Sequence, residues 1–321
     1  SVTSMSNMFE FAADFNHALT FDTRSVGDMY SMFASATYFN QPLAFDTRSV
    51  TDMGYMISSN TFFDQTLAFD TSSVGDMRSM FDLAISFNKP LLFDTSSVTA
   101  MHWTFHNTNA FDQPLSAFDT ASVTGMMAMF GRTGAYRHPV EFDTGSVIYI
   151  GDFLYSADVF NQPMSLDTGR VVAMGLMFNF ADLFNSGLTF DTASVTTMDR
   201  MFADGLFNKP LAFDTSSVTN MWAMFASASS FDQPLDFDTS RATTTGDMFL
   251  FATSFDENLA GWDTQLVTTM GYMFDQASSF DNGGSPPAFA TVRVALMWAM
   301  VAPASRLRQP LGSRSSSATT L

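Results

Sequence analysis

Apolar residues recur along this chain in a fixed order, with a step of 23 to 25 residues and most often 24. Val26, Val50, Val74, Val98, Val123, Val147, Val171, Val195, Val218 and Val267 mark the register. Ala242 holds it once, and Val2 and Val294 extend it at the ends. After Val50, apolar side chains fall at offsets 3, 6 and 7 as Met53, Met56 and Ile57, and after Val26 the same offsets give Met29, Met32 and Phe33, with Ala36 at 10. Offsets 0, 3, 7 and 10 share one face of a helix, so the pattern predicts an extended Val followed by one or two helical turns. Ser25 and Ser49, with Asp28 and Asp52 three places on, supply a capping signal for that turn.

A second pattern follows the first. Phe-Asn-Gln-Pro-Leu-x-Phe, as in Phe39 to Phe45, places Leu43 and Phe45 on either side of Ala44, a period of two that predicts a short strand. Pro42, Pro90, Pro114, Pro163, Pro210 and Pro234 fix the entry to it and exclude a helix there. Stacked at ~4.8 Å, such strands make one parallel sheet roughly 55 Å long. The expected architecture is therefore a repeat solenoid over 1–301 of about thirteen units, the outer ones partial. Short parallel strands form one side and short helical turns the other. A flexible basic tail follows over 302–321, with Arg306, Arg308 and Arg314. One unit alone cannot bury its Phe, Met and Val; stacked units can.

Composition sharpens this reading. The 36 Phe and 24 Met are what a core repeating those residues would hold. The acidic residues are 29 Asp and 3 Glu, and Asp favours turns and caps where Glu favours helix interiors. A net charge of −18 argues against nucleic acid or an anionic membrane as partner. With no Cys, disulfides, thiolate metal sites and Cys nucleophiles are excluded. No run of 18 apolar residues exists, so no transmembrane segment is expected. Ser1-Val2-Thr3 already lie inside a repeat, and the chain reads as a processed form or a fragment.

The recurring string Phe-Asp-Thr-Ser-Ser-Val-Thr-x-Met, best seen over Phe93 to Leu115 and Phe213 to Leu235, resembles the "bacterial surface protein" repeat of the BspA-like leucine-rich repeats. That repeat occurs in mycoplasma lipoproteins and other surface proteins. The likeness covers roughly 1–282 and implies a leucine-rich-repeat-like solenoid, a cell-surface or extracellular setting, and adhesion or partner binding. It brings no catalytic residues. Tyr136-Arg-His-Pro-Val140 departs from it, Asn282-Gly-Gly-Ser-Pro-Pro287 interrupts it, and Thr243-Thr-Thr245 lacks its Met.

Three columns are candidates for function. The first is Asp22, Asp46, Asp70, Asp94, Asp119, Asp143, Asp167, Asp191, Asp214, Asp238 and Asp263. Facing outward, this row would offer carboxylates to Ca²⁺. The structural alternative is that each carboxylate accepts hydrogen bonds from groups two or three residues on. The second is the position between Leu and Phe: Thr20, Ala44, Ala68, Leu92, Glu141, Ser165, Thr189, Ala212 and Asp236. As the small, open face of the sheet, it suits an extended protein, matrix or glycan surface. The third, Asn16, Asn40, Asp64, Asn88, Asp112, Asn161, Asn185, Asn208, Asp232 and Asp256, reads as a turn ladder. His102 and His106 lie four apart, a spacing that binds metal on a helix, but neither a third ligand nor His-Glu-x-x-His is present. Gly-x-Ser-x-Gly and phosphate loops are also missing. The sequence thus points to a non-enzymatic surface protein that binds a partner through its open face. The alternative is a subunit that stacks end to end into fibres or sheets, with Ca²⁺ along the Asp column.

Overall fold

A computed structural model describes residues 2–284 and Phe289. The tail over 302–321 and the repeat around Val294 lie outside the described residues. The chain falls into two compact units, Ser1–Asp167 and Thr168–Leu321.

In the first unit, each repeat is built from turns. The Met32 N–H donates to Met29 O at 3.2 Å and Ala36 to Phe33 O at 3.0 Å. Ser31 and Ser35, the third residues of these turns, have φ of 52° and 58°. A bond closing four residues with positive φ at the third is the type II pattern. The alternate N–H groups leave the repeat. Met29, Ser31, Phe33 and Ser35 donate to Asp52, Gly54, Met56 and Ser58 O in the next repeat, at 2.8–3.0 Å. This pair of turns recurs with positive φ at Tyr55 and Ser59, Ser79 and Leu83, and Trp103 and Asn107.

These bonds correct the predicted architecture. Helical turns do not form, because the backbone donors go to the neighbouring repeat or close four-residue turns, and two left-handed residues per repeat break any right-handed run. Among the described residues the one helical segment is a 3-10 turn at Asn282–Gly284. Among the described residues no sheet forms either. The backbones meet in isolated parallel bridges, chiefly two residues after Val (Ser4, Asp28, Asp52, Asp76, Ala100, Gly125, Tyr149). Along the Leu-x-Phe column only Val140 and Met164 pair. Elsewhere on that side a hydroxyl stands between the backbones. Thr23 Oγ1 donates to Asp46 O at 2.9 Å and accepts from Asp46 N–H at 2.9 Å. Thr47, Thr71, Thr95 and Thr120 likewise donate to Asp70, Asp94, Asp119 and Asp143 O at 2.8–2.9 Å. The leucine-rich-repeat-like stack of strands and helical turns is therefore not what this sequence makes.

The core lies inside the coil of each repeat. Val26, Val50, Val74, Val98, Val123 and Val147 are fully buried, as are the Met side chains behind them. One ring column runs along the unit, and a second, interrupted at Ile57, lies beside it. Phe39, Phe63, Phe87, Phe111, Tyr136 and Phe160 stack with centroids 6.1–6.2 Å apart. Within a repeat, Phe33 stacks on Phe39 at 4.3 Å and Phe81 on Phe87 at 4.4 Å. Burial of each ring contributes roughly 1.5–3 kcal/mol, and offset stacking adds to it.

The second unit repeats these devices. Arg200 and Asp204 hold the left-handed positions with φ of 52° and 57°, and the Arg200 N–H donates to Trp222 O at 2.9 Å. Parallel bridges join Ala173, Thr197, Asn220, Thr244 and Thr269. Phe184, Phe207, Phe231, Phe255 and Phe280 form its ring column, at 5.9–6.3 Å. Where Thr245 replaces Met, its hydroxyl donates to Met273 Sδ at 3.8 Å. One repeat is short: Phe202 and Phe207 are five residues apart, where Phe178 and Phe184, or Phe225 and Phe231, are six.

Candidate functional site

In the first unit, Leu43, Leu67, Leu91, Phe45, Phe69 and Phe93 are buried. The residues between them, Ala44, Ala68 and Leu92, are exposed, as are Glu141 and Ser165 on the same column. The alternation of two read from the sequence is therefore present in burial, although no strand carries it. Leu92 is 87% exposed, the most of any large apolar side chain among the described residues. In the second unit Thr189, Ala212 and Asp236 are exposed between buried Leu and Phe. Small residues on most of this column leave the backbone accessible from outside.

The Asp column is exposed except at Asp46, which is half-buried. Most of these carboxylates are engaged locally through Oδ1. In the first unit Asp22, Asp46, Asp70, Asp94, Asp119 and Asp143 accept the N–H two residues ahead at 3.1–3.3 Å. In the second, Asp191, Asp214, Asp238 and Asp263 do so at 2.9–3.1 Å. Asp70 and Asp94 also accept the Ser72 and Ser96 hydroxyls at 2.6 Å. These bonds favour the charged form. The Arg24 guanidinium on Asp22 brings its carboxyl down to about 2. Arg48 lowers Asp46, and the Ser72, Ser96, Ser216 and Ser240 hydroxyls lower Asp70, Asp94, Asp214 and Asp238. Among the described residues, no three His, Asp or Glu side chains gather closely enough to hold a metal ion.

The Asn/Asp column is a ladder of side-chain acceptors. Asn16, Asn40, Asp64, Asn88 and Asp112 Oδ1 accept the N–H of Asn40, Asp64, Asn88, Asp112 and Arg137 at 2.9–3.0 Å. Asn185, Asn208, Asp232 and Asp256 continue the device in the second unit. Asn and Asp exchange freely here because an Oδ1 acceptor is all the turn requires.

His102 and His106 are not on a helix and do not converge on a common site. Trp103 between them has φ of 55°. His106 Nδ1 lies 2.8 Å from Asp82 Oδ1. His102 Nδ1 accepts the Met127 N–H at 3.2 Å, and its ring occupies the space a Cβ at Gly125 would need. Burial there lowers its pKa from the usual imidazole value, with Arg78 adding to the effect.

Two depressions escaped the sequence reading. One, of about 210 Å³, lies in the first unit between Pro114, Leu115 and Ser116 and the divergent His138, Pro139 and Glu141. The other, of about 560 Å³, lies in the second unit at the short repeat, lined by Phe180, Asp182, Leu183, Asp204, Gly205 and Leu206, among others. Repeat length was the available signal for the second, as Phe190 and Phe213 begin their units 23 residues apart.

The model of a family described as "Mycoplasma protein of unknown function, DUF285" matches the chain in five overlapping segments, 1–90, 65–165, 92–187, 164–236 and 206–315. No curated protein and no solved structure matches it.

Proposed function

The chain belongs to the DUF285 family of tandem-repeat proteins, and from that premise we propose that it is a non-catalytic surface protein that binds an extended protein or matrix partner through the column between Leu and Phe. The observation that carries this reading is Leu92, 87% exposed beside the small Ala68, on a column whose flanking residues are buried. A large apolar side chain held outward on a rigid scaffold is the kind of feature that anchors an interface, and small neighbours let a partner approach. Buried core positions account for the Phe, Met and Thr columns, which leaves this outward column with no structural task. The likeness of Phe93 to Leu115 to the "bacterial surface protein" repeat supports an extracellular or cell-surface setting. No helix among the described residues is long and apolar enough to cross a membrane.

The reading is tested by solid-phase binding of the purified chain to immobilised fibronectin, collagen and a heparan-sulfate preparation, beside the variants Leu92→Asp and Ala68→Arg. Saturable binding to one of these surfaces that either variant abolishes supports the column as the interface. Binding unaffected by both variants, or absent from all three surfaces, counts against it.

A further inference from the structure

The short repeat of the second unit makes a notch lined by both apolar and acidic side chains. Loss of one residue between Phe202 and Phe207 removes a corner residue that the flanking repeats possess. Around the gap Phe180, Leu183 and Leu206 are 40%, 52% and 46% exposed. Three large apolar side chains thus converge on an open depression of about 560 Å³. Asp182 and Asp204 also line it, and no Lys or Arg does. Asp204 is fixed in place, because its Oδ2 accepts the Asn179 Nδ2–H at 3.1 Å.

We propose that this notch binds a short basic-apolar peptide segment of a partner protein, seating one Arg side chain with apolar neighbours on either side. The charge argument selects the occupant. The whole chain carries −18 and the notch adds two carboxylates without a cation, so an anionic ligand is repelled and a cationic one attracted. The apolar wall selects among cations: an Arg stem lies along Phe180 and Leu183 while its guanidinium reaches the carboxylates at the rim. A small polar cation leaves that wall uncovered. The notch is separate from the Leu-x-Phe column and acts independently of it.

The test is a titration of the full-length ¹⁵N-labelled chain with the capped peptide Ac-Gly-Leu-Arg-Leu-Gly-NH₂, followed by amide shifts. Saturable shifts are expected at 180–183 and 204–206. Replacing the peptide's Arg with neutral citrulline, or making Asp182→Asn with Asp204→Asn, is expected to weaken binding by about two- to fivefold, the worth of an exposed ion pair. Inserting one Ser after Gly205 restores the common repeat length and is expected to abolish the shifts. The Asp variants decide the matter if that insertion fails to fold by circular dichroism. The proposal is overturned by a lack of saturable shifts at the notch, by equal binding of the citrulline peptide, or by equal binding of spermidine.

Discussion

The Thr23 hydroxyl and the Asp46 backbone are bonded twice, the hydroxyl donating to the carbonyl and accepting from the N–H, each at 2.9 Å. Thr23 is 2% exposed, so its hydroxyl is held inside the coil. Thr23→Val keeps the shape and leaves both groups unpaired. A loss of roughly 1–3 kcal/mol is expected in urea unfolding. Thr23→Ser keeps the hydroxyl and is expected to recover most of it.

Asn60 stands on a column where Ala36 and Ala84 are also fully buried. Neither its Oδ1 nor its Nδ2 has a hydrogen-bond partner. A buried amide without partners costs roughly 1–3 kcal/mol. Asn60→Ala is therefore expected to raise stability by about 1 kcal/mol after the loss of packing, contrary to the usual sign for a core truncation. Thr at this position has precedent in Thr108, which donates to Phe81 O at 2.8 Å. Chemical denaturation of Asn60→Ala and Asn60→Thr against the parent checks both.

Ser35 has φ of 58° and its N–H is bonded to Ser58 O at 2.8 Å. A non-Gly residue in this region pays roughly 1–2 kcal/mol that Gly avoids. Ser35→Gly is expected to stabilise the chain by about 1 kcal/mol less the added chain entropy, and Ser35→Val to destabilise it. Midpoints of guanidinium unfolding for the two variants should move in opposite directions.

His102 makes stability depend on pH. Burial lowers its folded-state pKa, so the unfolded chain takes up the proton first. Its contribution is full above the unfolded value of about 6.5 and is lost as pH falls from there through the lower folded value. Unfolding free energy measured between pH 7.5 and 4.5 should show this loss in the parent and less of it in His102→Gln. Gly125→Ala pushes the ring outward, and the His102 pKa read by NMR should rise toward 6.5.

Much of the molecule was legible in its sequence, and the failures have a physical cause. Val26, Met29, Met32, Phe33 and Ala36 all point inward as their spacing implied. The same spacing suggested a helix because the two turns are offset by four residues, from Ser31 to Ser35, and place inward residues at offsets close to helical ones. Many of the residues with positive φ gave no warning, although Asn107 and Asp204 are of the type that adopts it. Tyr55, Trp103, Leu176 and Arg200 occupy positions where Gly or Asn would have signalled a turn. The Leu-x-Phe alternation was right about which side chains face out, Ala44 and Leu92 among them. It was wrong about pairing, because Thr23 and its equivalents stand between the backbones. The notch at Phe180 and Leu206 was written only as a missing residue, whose effect depends on the corner it empties.

Backbone donors that leave their own repeat define this fold, and NMR couplings across hydrogen bonds observe those donors directly. In the labelled chain, coupling is predicted from the Ser31 N–H to the Gly54 carbonyl and from Phe33 to Met56, bonds of 2.8 and 3.0 Å. Coupling from Phe33 to Met29 instead, the helical i to i−4 pattern, would contradict it.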